Sequence, residues 1–598
     1  MNMNHCSVVL GSLLLSLIAV AQEPYFNLDF ETATRGQPWS WSGGGASYQI
    51  GVDTAVKYSG AESLRIRYIS GQFGSSMAQL LPLTALRIHQ QRPRPPGKTV
   101  RTHHVRFSGY MKTDAITQGN AGLWLRVDGA AGPISLDNAP SGIVNGTTDW
   151  QPFTIDRDID PAAADVIFGA FQFGNGTAWF DNFALAVDGA PYPQPPPPYV
   201  GEPTTAQLDW VSKSANPIST PNPGSGFDDL APVAGMVGDA HIVGLGEGTH
   251  GTSEFFRMKH RLLEYLATQM GFTVFAIEAN MPEAYAVNNY VLNGAGDPKQ
   301  LLKGMYFWTW NTQEVLDMIL WMRQFNLSGQ GRLQFTGFDM QYGAVAAVNV
   351  RSFVTRADPA YLPALSQALA LAAPVQTNYQ RGVSQSAGTI QAAVDAVDAV
   401  VEYLTQHRSD YLAGFSAADV DWAIQNARIV RQATYIALGG SAYRDQSMAA
   451  NIDWIAQQNP GARIVLWAHD YHISRTAGAM GSYLGAAYGN DYLSVGQIFH
   501  AGIYNAFNNG ILGPNVATTS FPGTVEYVLH FTGMPMFILD VRHASRGDAG
   551  SSWLLGETQY RTVGAVAYDG FGFTSQLTKD YDVLIYFDQT SASHLLPF

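Results

Sequence analysis

The sequence predicts a multidomain chain of two classes: an antiparallel β-sandwich, then an α/β domain with a mainly parallel sheet and a helical insertion. Three observations carry this. Residues from about 24 to 188 alternate apolar and polar with period two, the stretch APYPQPPPPYVGEP (190–203) interrupts that pattern, and the second half contains short apolar runs that each meet an ionisable residue. Period two is the signature of strands with one face buried, while continuous apolar runs mark strands buried on both faces, as in parallel sheets.

In SLRIRYIS, Leu64, Ile66 and Tyr68 face one way and Arg65 and Arg67 the other; GLWLRVDG repeats this with Leu123, Leu125 and Val127 against Trp124, Arg126 and Asp128. Gly, Asn and Asp punctuate these runs and no helical pattern interrupts them, which indicates a β-sandwich over 22–189. The proline-rich stretch is read as an extended linker over 190–204. The α/β domain then spans 205–598.

Four of its apolar runs set up a site. HIVGLG leads to Glu247, TVFAI to Glu278, LQFTGF to Asp339 and RIVLWA to His469. Parallel strands deliver such residues to one edge of one sheet, where open α/β folds bind ligands. MFILD and DVLIYFD are further strands, ending at Asp540 and Asp588. Helical periodicity over 252–269 and the alternation of runs and turns complete the βα pattern. Ile390, Val394, Val397, Val401 and Leu404 step as one helix face, Ser416 with Asp419 caps another helix, and Gly439-Gly440 is its expected stop. These define a helical insertion over about 355–440, placed to cover the strand ends.

Composition bounds the function. The 598 residues exceed one core, and charged residues make up 14% against ~25% for soluble domains in general. A net charge of −14 argues against a nucleic-acid surface. The basic stretch RPRPPGKTVRTHH (92–104) is short, interrupted by proline and read as an exposed loop. Residues 1–21 read as a signal peptide: VVLGSLLLSLIAV is too short to span a bilayer comfortably, and Ala19-Val20-Ala21 is a small-x-small cleavage site. The expected location is therefore exported, periplasmic or extracellular. Removal of Cys6 with that segment leaves no cysteine, which excludes disulfides, thiolate metal sites and a cysteine nucleophile. No stretch of the mature chain is long and apolar enough for a transmembrane segment.

GLGEGTHG (244–251) lies between a strand and the helix near Thr252, and its helix amino end favours an anion. Glu247 and His250 are three apart in that turn. A carboxylate beside an imidazole fixes its tautomer and stabilises the imidazolium, which makes a general base. AHDYH supplies His469 and His472, a spacing compatible with acid–base groups or metal ligands. Glu278 is an acid at a buried strand end, where a partner is required. The aromatic run YFWTW (306–310) reads as core. There is no G-x-S-x-G, H-E-x-x-H, Walker loop or dinucleotide fingerprint in its βαβ context.

GEGTHGTSEFFRMKHRLLEYL, VFAIEAN, TGFDMQ, YRDQSMAANIDW and IVLWAHDYH, in that order and spacing, resemble the erythromycin esterase family over about 230–598. The closing YDVLIYFD is similar to that family's FDALI-type strand. The resemblance implies an α/β core with a helical insertion and a polar cleft, and hydrolysis of an ester or lactone; no cofactor is the first expectation, with a divalent metal ion as the alternative. By motif, His250 is the expected base that activates water, with Glu247, Glu278, His469 and His472 in the same cleft. Lys259, Asp339 and Arg444 are the expected substrate-binding residues, Arg444 through an acid. Lys259 departs from the arginine that family members often carry there and lacks its bidentate fork. The family also includes members assigned to exopolysaccharide synthesis rather than drug resistance, so a small-molecule ester or lactone is expected without a named substrate.

Two other functions fit the residues. The first is a metal-dependent hydrolase in which Glu247, His250, Glu278 and His469 hold a divalent ion. The second is a polysaccharide-binding or cell-surface protein with an inactive hydrolase-like domain. The segment from NLDFE to TAWFDNFAL resembles jelly-roll, carbohydrate-binding-like modules, which makes a glycan a further expected partner. Trp39, Trp41 and Trp124 are its candidate stacking residues, and Asp181 is either a structural acid or a Ca²⁺ ligand.

Overall fold

The computed structural model describes residues 25–44, 47–70, 77–82, 86–87, 102–129, 132–138, 143–195, 197–198, 200–567, 571–574 and 576–597. The expected signal peptide and nearly all of the basic stretch lie outside them. The chain divides into two compact units, Met1–Pro197 and Pro198–Phe598.

The first unit is entirely antiparallel in its described strands. Its longest strand, His103–Gly129, pairs with Val144–Ile159, Ala163–Gly174 and Thr177–Val187. Left-handed backbone at Ala115 and Gly119 falls within this strand. The period-two pattern closes one core that includes Leu64, Ile66, Val105, Phe107, Leu123, Leu125 and Phe168. Trp39, Trp41 and Trp124 are not stacking residues: all three are buried. Trp41 packs against Phe30, Phe168 and Phe183, and Trp124 Nε1 donates to the Ala170 carbonyl at 3.2 Å. Asp181 is a structural acid. Its carboxylate accepts the backbone N–H groups of Tyr58, Ser59 and Asn182, and burial raises its pKa against those bonds.

The second unit is built on a nine-stranded mixed sheet. Its strands are β1 (Ala215–Pro217), β2 (Ile242–Leu245), β3 (Phe272–Asn280), β4 (Gln334–Asp339), β5 (Arg463–Trp467), β6 (Tyr492–Asn508), β7 (Ile511–Ala517), β8 (Met536–Asp540) and β9 (Val583–Thr590). The order is β1-β8-β9-β6-β2-β5-β3-β4, with β7 paired to β6. Strands β4, β3, β5, β2, β6 and β9 run parallel, while β1, β7 and β8 pair antiparallel. Ile242, Val243 and Leu245 in β2 and Ile464 to Trp467 in β5 are buried, as central strands covered on both faces require. Because β8 is reversed, Asp540 ends at the opposite rim from Glu247, Glu278, Asp339 and His469, where it pairs with Arg542.

The helical block is longer than the predicted 355–440. It comprises Ala344–Ala357, Leu362–Gln380, Ala387–Gln406, Arg408–Tyr411 and Ala417–Gln458, all between β4 and β5. Ile390, Val394, Val397 and Leu404 are buried as the spacing required, with Val400 rather than Val401 completing the face. Ser416 caps the last helix through the Asp419 N–H at 3.1 Å. Gly440 (φ 60°, ψ −155°) leaves the helical region and divides Ala417–Gln458 into two helices, at the stop expected from Gly439-Gly440. Glycine takes a positive φ at little steric cost, and the helix resumes in a new direction. The resumed segment carries Arg444 and Asp445 to the sheet rim.

Candidate active site

The turn after β2 is built by close approach. A Cβ at Gly251 would collide with the Asn505 backbone, and one at Gly246 with the Asp470 carboxylate. Gly246 and Gly248 donate N–H bonds to Val495 and Gln497, so the turn rides on β6. Glu247 then points beneath His250 and is fully buried. One of its oxygens meets His250 Nδ1 at 2.8 Å; the other accepts Lys259 Nζ at 2.7 Å and Trp467 Nε1 at 2.8 Å. Lys259 stands 4.5 Å over the Trp467 ring and also donates to the Ala468 carbonyl. Burial lowers the Lys259 pKa, opposed by Glu247.

His250 is pinned at Nδ1, packed edge-on against Trp310 at 6.1 Å and tilted against His469 at 5.0 Å. Its Nε2 has no protein hydrogen-bond partner among the described residues. Its side chain keeps 13% exposure, where Glu247 keeps none. An anionic acceptor at Nδ1 leaves Nε2 as the basic nitrogen.

The neighbouring part of the rim is a charge network. Arg444 makes a two-pronged contact with Asp339, Nε–Oδ1 at 3.1 Å and Nη2–Oδ2 at 2.7 Å, and reaches Glu278 at 2.6 Å. The second Glu278 oxygen accepts the His469 backbone N–H at 2.9 Å. Burial pushes the Glu278 pKa up, but His472 and Arg444 outweigh it and hold the group well below the usual carboxylate range. His472 places Nδ1 2.7 Å from Asp445 and Nε2 3.3 Å from Glu278. Burial pulls its pKa down, yet Glu278 and Asp445 carry it up to about 9. Nδ1–H therefore donates to Asp445, while Nε2 faces Glu278 as an ion-pair contact. Arg444 Nη1, 3.1 Å from Nε2, is a like-charged neighbour held there by the shared carboxylate.

His469 is different. It caps the short helix Asp470–Ile473 by accepting the Tyr471 N–H at Nδ1, 3.2 Å away, and its Nε2 faces the Val563 carbonyl at 3.3 Å. Burial, then His250 and His472, depress its pKa well below 6.5. It is a neutral ring with its proton on Nε2.

The structure thus brings Glu247, His250, Glu278, Asp339, Arg444, His469 and His472 to one rim. Lys259 and Asp339, expected to bind substrate, are fully buried with their polar groups taken by protein partners, so they position Glu247 and Arg444. The alternative metal set Glu247, His250, Glu278 and His469 fits poorly. The acids' lone pairs are met by Lys259, Trp467, Arg444 and N–H donors, and both His469 nitrogens are engaged. Sequence reasoning missed Trp467 and Asp445, whereas Trp310 is core as read and packs edge-on against His250. Trp467 was legible as the residue before Ala468-His469 on the same buried strand. Asp445 adjoins Arg444, and nothing in its spacing announced a partner 27 positions away.

The erythromycin esterase family model matches residues 267–590, more than half the chain. That span includes Glu278, Asp339, Arg444, His469 and His472 but begins after Glu247, His250 and Lys259. The chain is 25% identical to erythromycin esterase type II of Escherichia coli over 334 residues, covering 49% of this chain and 77% of the relative. It is 23% identical to the putative hydrolase YbfO of Bacillus subtilis over 423 residues, 65% and 92% of the two chains. Among solved structures, a Bacillus cereus protein superposes with TM-score 0.59 at 28% identity, over 66% of this chain and all of that one. A mutant erythromycin esterase in its open conformation shares the fold, with TM-score 0.51 at 16% identity over 62% and 96% of the two chains. With over half its length matched and these motifs gathered at one rim, the chain belongs to the erythromycin esterase family of hydrolases.

Proposed function

We propose that the protein hydrolyses an ester or lactone with water activated by His250 and requires no metal ion. His250 Nε2 takes a proton from water as the water oxygen bonds to the acyl carbon. Glu247 stabilises the imidazolium through Nδ1–H. The oxyanion that develops is stabilised by the positive face of Arg444 and His472. When the acyl–oxygen bond breaks, the leaving alkoxide takes the proton from His250 Nε2. Neutral His469 lines the site.

The observation that carries this reading is the 2.8 Å contact of His250 Nδ1 with a buried acid whose other oxygen is fixed by Lys259 and Trp467. Purified wild-type protein and His250→Ala, assayed on a panel of acyl esters and lactones after chelator treatment, test it. Turnover is expected in the treated wild type only. Turnover that survives in His250→Ala, or that returns only when metal is added back, overturns the reading.

The amino-terminal apolar run supports an exported enzyme, to be checked by the start of the mature chain secreted from an expressing cell. For the first unit the proposed partner is a glycan, in view of Tyr58, 43% exposed and stacked 3.6 Å from Tyr110 with Trp150 at its edge. Glycan-array binding that Tyr58→Ala abolishes is the expected result. Equal binding by that variant would remove these rings from the interface.

A further inference from the structure

The turn that carries Glu247 and His250 leans on a side chain that the proposed chemistry does not use. Asp470 directly follows His469, opens the short helix Asp470–Ile473 and is fully buried. Its backbone N–H donates to the Glu247 carbonyl at 2.9 Å, which ties the segment after β5 to the turn after β2. Its carboxyl lies against the backbone of the same turn. A Cβ at Gly246 would overlap Oδ1, and one at Gly248 would stand 3.7 Å from Oδ2.

Asp470 Oδ1 also accepts the Gln497 backbone N–H from β6 at 3.1 Å. Gln497 grips the turn twice: its carbonyl accepts the Gly248 N–H at 2.9 Å, and its Nε2 donates to the Gly246 carbonyl at 2.8 Å. The carboxyl thus sits between the two glycines that flank Glu247 and the residue that holds them. Lys259 on the following helix, Glu247 in the turn and Glu526 on the helix Val525–His530 are the charged groups that face it. Burial raises the Asp470 pKa well above the ordinary value, against the Gln497 N–H and Lys259. A neutral carboxyl has the shape of an asparagine amide and keeps the same acceptor oxygen.

We propose that Asp470 is a positioning residue, whose carboxyl, wedged between Gly246 and the Gln497 N–H, sets the backbone from which Glu247 meets His250. It acts through Glu247 and gives no atom to the reaction. Its leverage comes from the geometry it guards, since a misplacement of about 1 Å at reacting groups costs roughly 10²-fold in rate. The inference rests on the hydrolase reading for its kinetic readout alone.

Asp470→Ala is expected to lower kcat by about 30-fold or more with KM little changed. Asp470→Asn keeps Oδ1 and is expected to restore most of that loss. Gly246→Ala drives a methyl into the carboxyl and should cost about as much as Asp470→Ala; with the carboxyl removed, most of the overlap goes, so the two losses do not multiply in the double variant. A second readout needs no substrate. In protein carrying nitrogen-15 histidine, the Nδ1–H resonance of His250, identified by its loss in His250→Asn, is expected at low field in wild type and Asp470→Asn and at higher field in Asp470→Ala. Losses that multiply, an Asp470→Asn as impaired as Asp470→Ala, or an unmoved resonance in Asp470→Ala overturn the assignment. If Asp470→Ala does not fold, an unmoved resonance in Gly246→Ala overturns it equally. Failure of the hydrolase reading shows separately, as turnover that survives in His250→Ala, and leaves the resonance to report on Asp470.

Discussion

The two halves of the rim are built on different principles. Glu247, His250 and Lys259 come from 13 consecutive positions, one turn and the helix that follows it, and their contacts with one another are local. Glu278, Asp339, Arg444, Asp445 and His472 come from β3, β4, the resumed helix and the short helix after β5, and meet only when the sheet and helical block are both in place. The local half leaves His250 Nε2 without a protein partner among the described residues. The convergent half engages both oxygens of Glu278 and of Asp339, and leaves Oδ2 of Asp445 without a partner among the described residues. Groups that do chemistry need an open valence, whereas buried charges need closed ones.

That contrast is sharpest in two variants compared side by side. His250→Asn is expected to lose about 10³–10⁴-fold in kcat/KM, with stability within about 1 kcal/mol of wild type by urea titration. Arg444→Met strips the cation from two buried carboxylates and is expected to cost about 3–5 kcal/mol of stability as well as activity. Equal stability of the two variants would erase the distinction between the halves.

The pH dependence sharpens it further. His472 has a folded-state pKa of about 9, above the ~6.5 of an unfolded histidine. Its contribution is therefore full below pH ~6.5 and is lost as pH rises towards about 9. Unfolding free energies measured between those limits should fall with pH in the wild type and stay flatter in His472→Asn; identical slopes would remove the imidazolium. Glu278, depressed by His472 and Arg444 against its burial, acts in the opposite sense, stabilising above the ordinary carboxylate pKa and losing that effect as pH falls.

A smaller effect is expected at Lys259. Lys259→Met leaves Glu247 with Trp467 and His250, and should reduce kcat by roughly tenfold with KM little changed, because the residue orients the acid without touching substrate. A dominant rise in KM would return Lys259 to the substrate-binding surface.

Much of this was legible beforehand, for identifiable reasons. The apolar runs located β2, β3, β4 and β5 because parallel strands buried on both faces have no polar alternation to obscure them. The Glu247–His250 contact was readable because three positions in a glycine turn are close in any fold. The reversed direction of β8 was not readable, since MFILD is equally apolar in either orientation, and with it the placement of Asp540. Trp39, Trp41 and Trp124 were misplaced for a related reason: alternation does not show whether other layers cover a residue, and Trp124 in the long strand, Trp39 in a turn and Trp41 in a four-residue strand packed on Phe30, Phe168 and Phe183 are all buried.

By itself, the amino-acid sequence determined the elements, their order, the carboxyl-end residues and the family, because periodicity, glycine turns and motif spacing are properties of short segments. Tertiary structure alone decided which acids carry which cations. Lys259 became the support of Glu247, Arg444 the clamp of Asp339 and Glu278, His472 a charged ring and His469 a neutral one. These outcomes depend on desolvation and on the sum of charges within a few ångströms, and both arise only once distant segments are packed together.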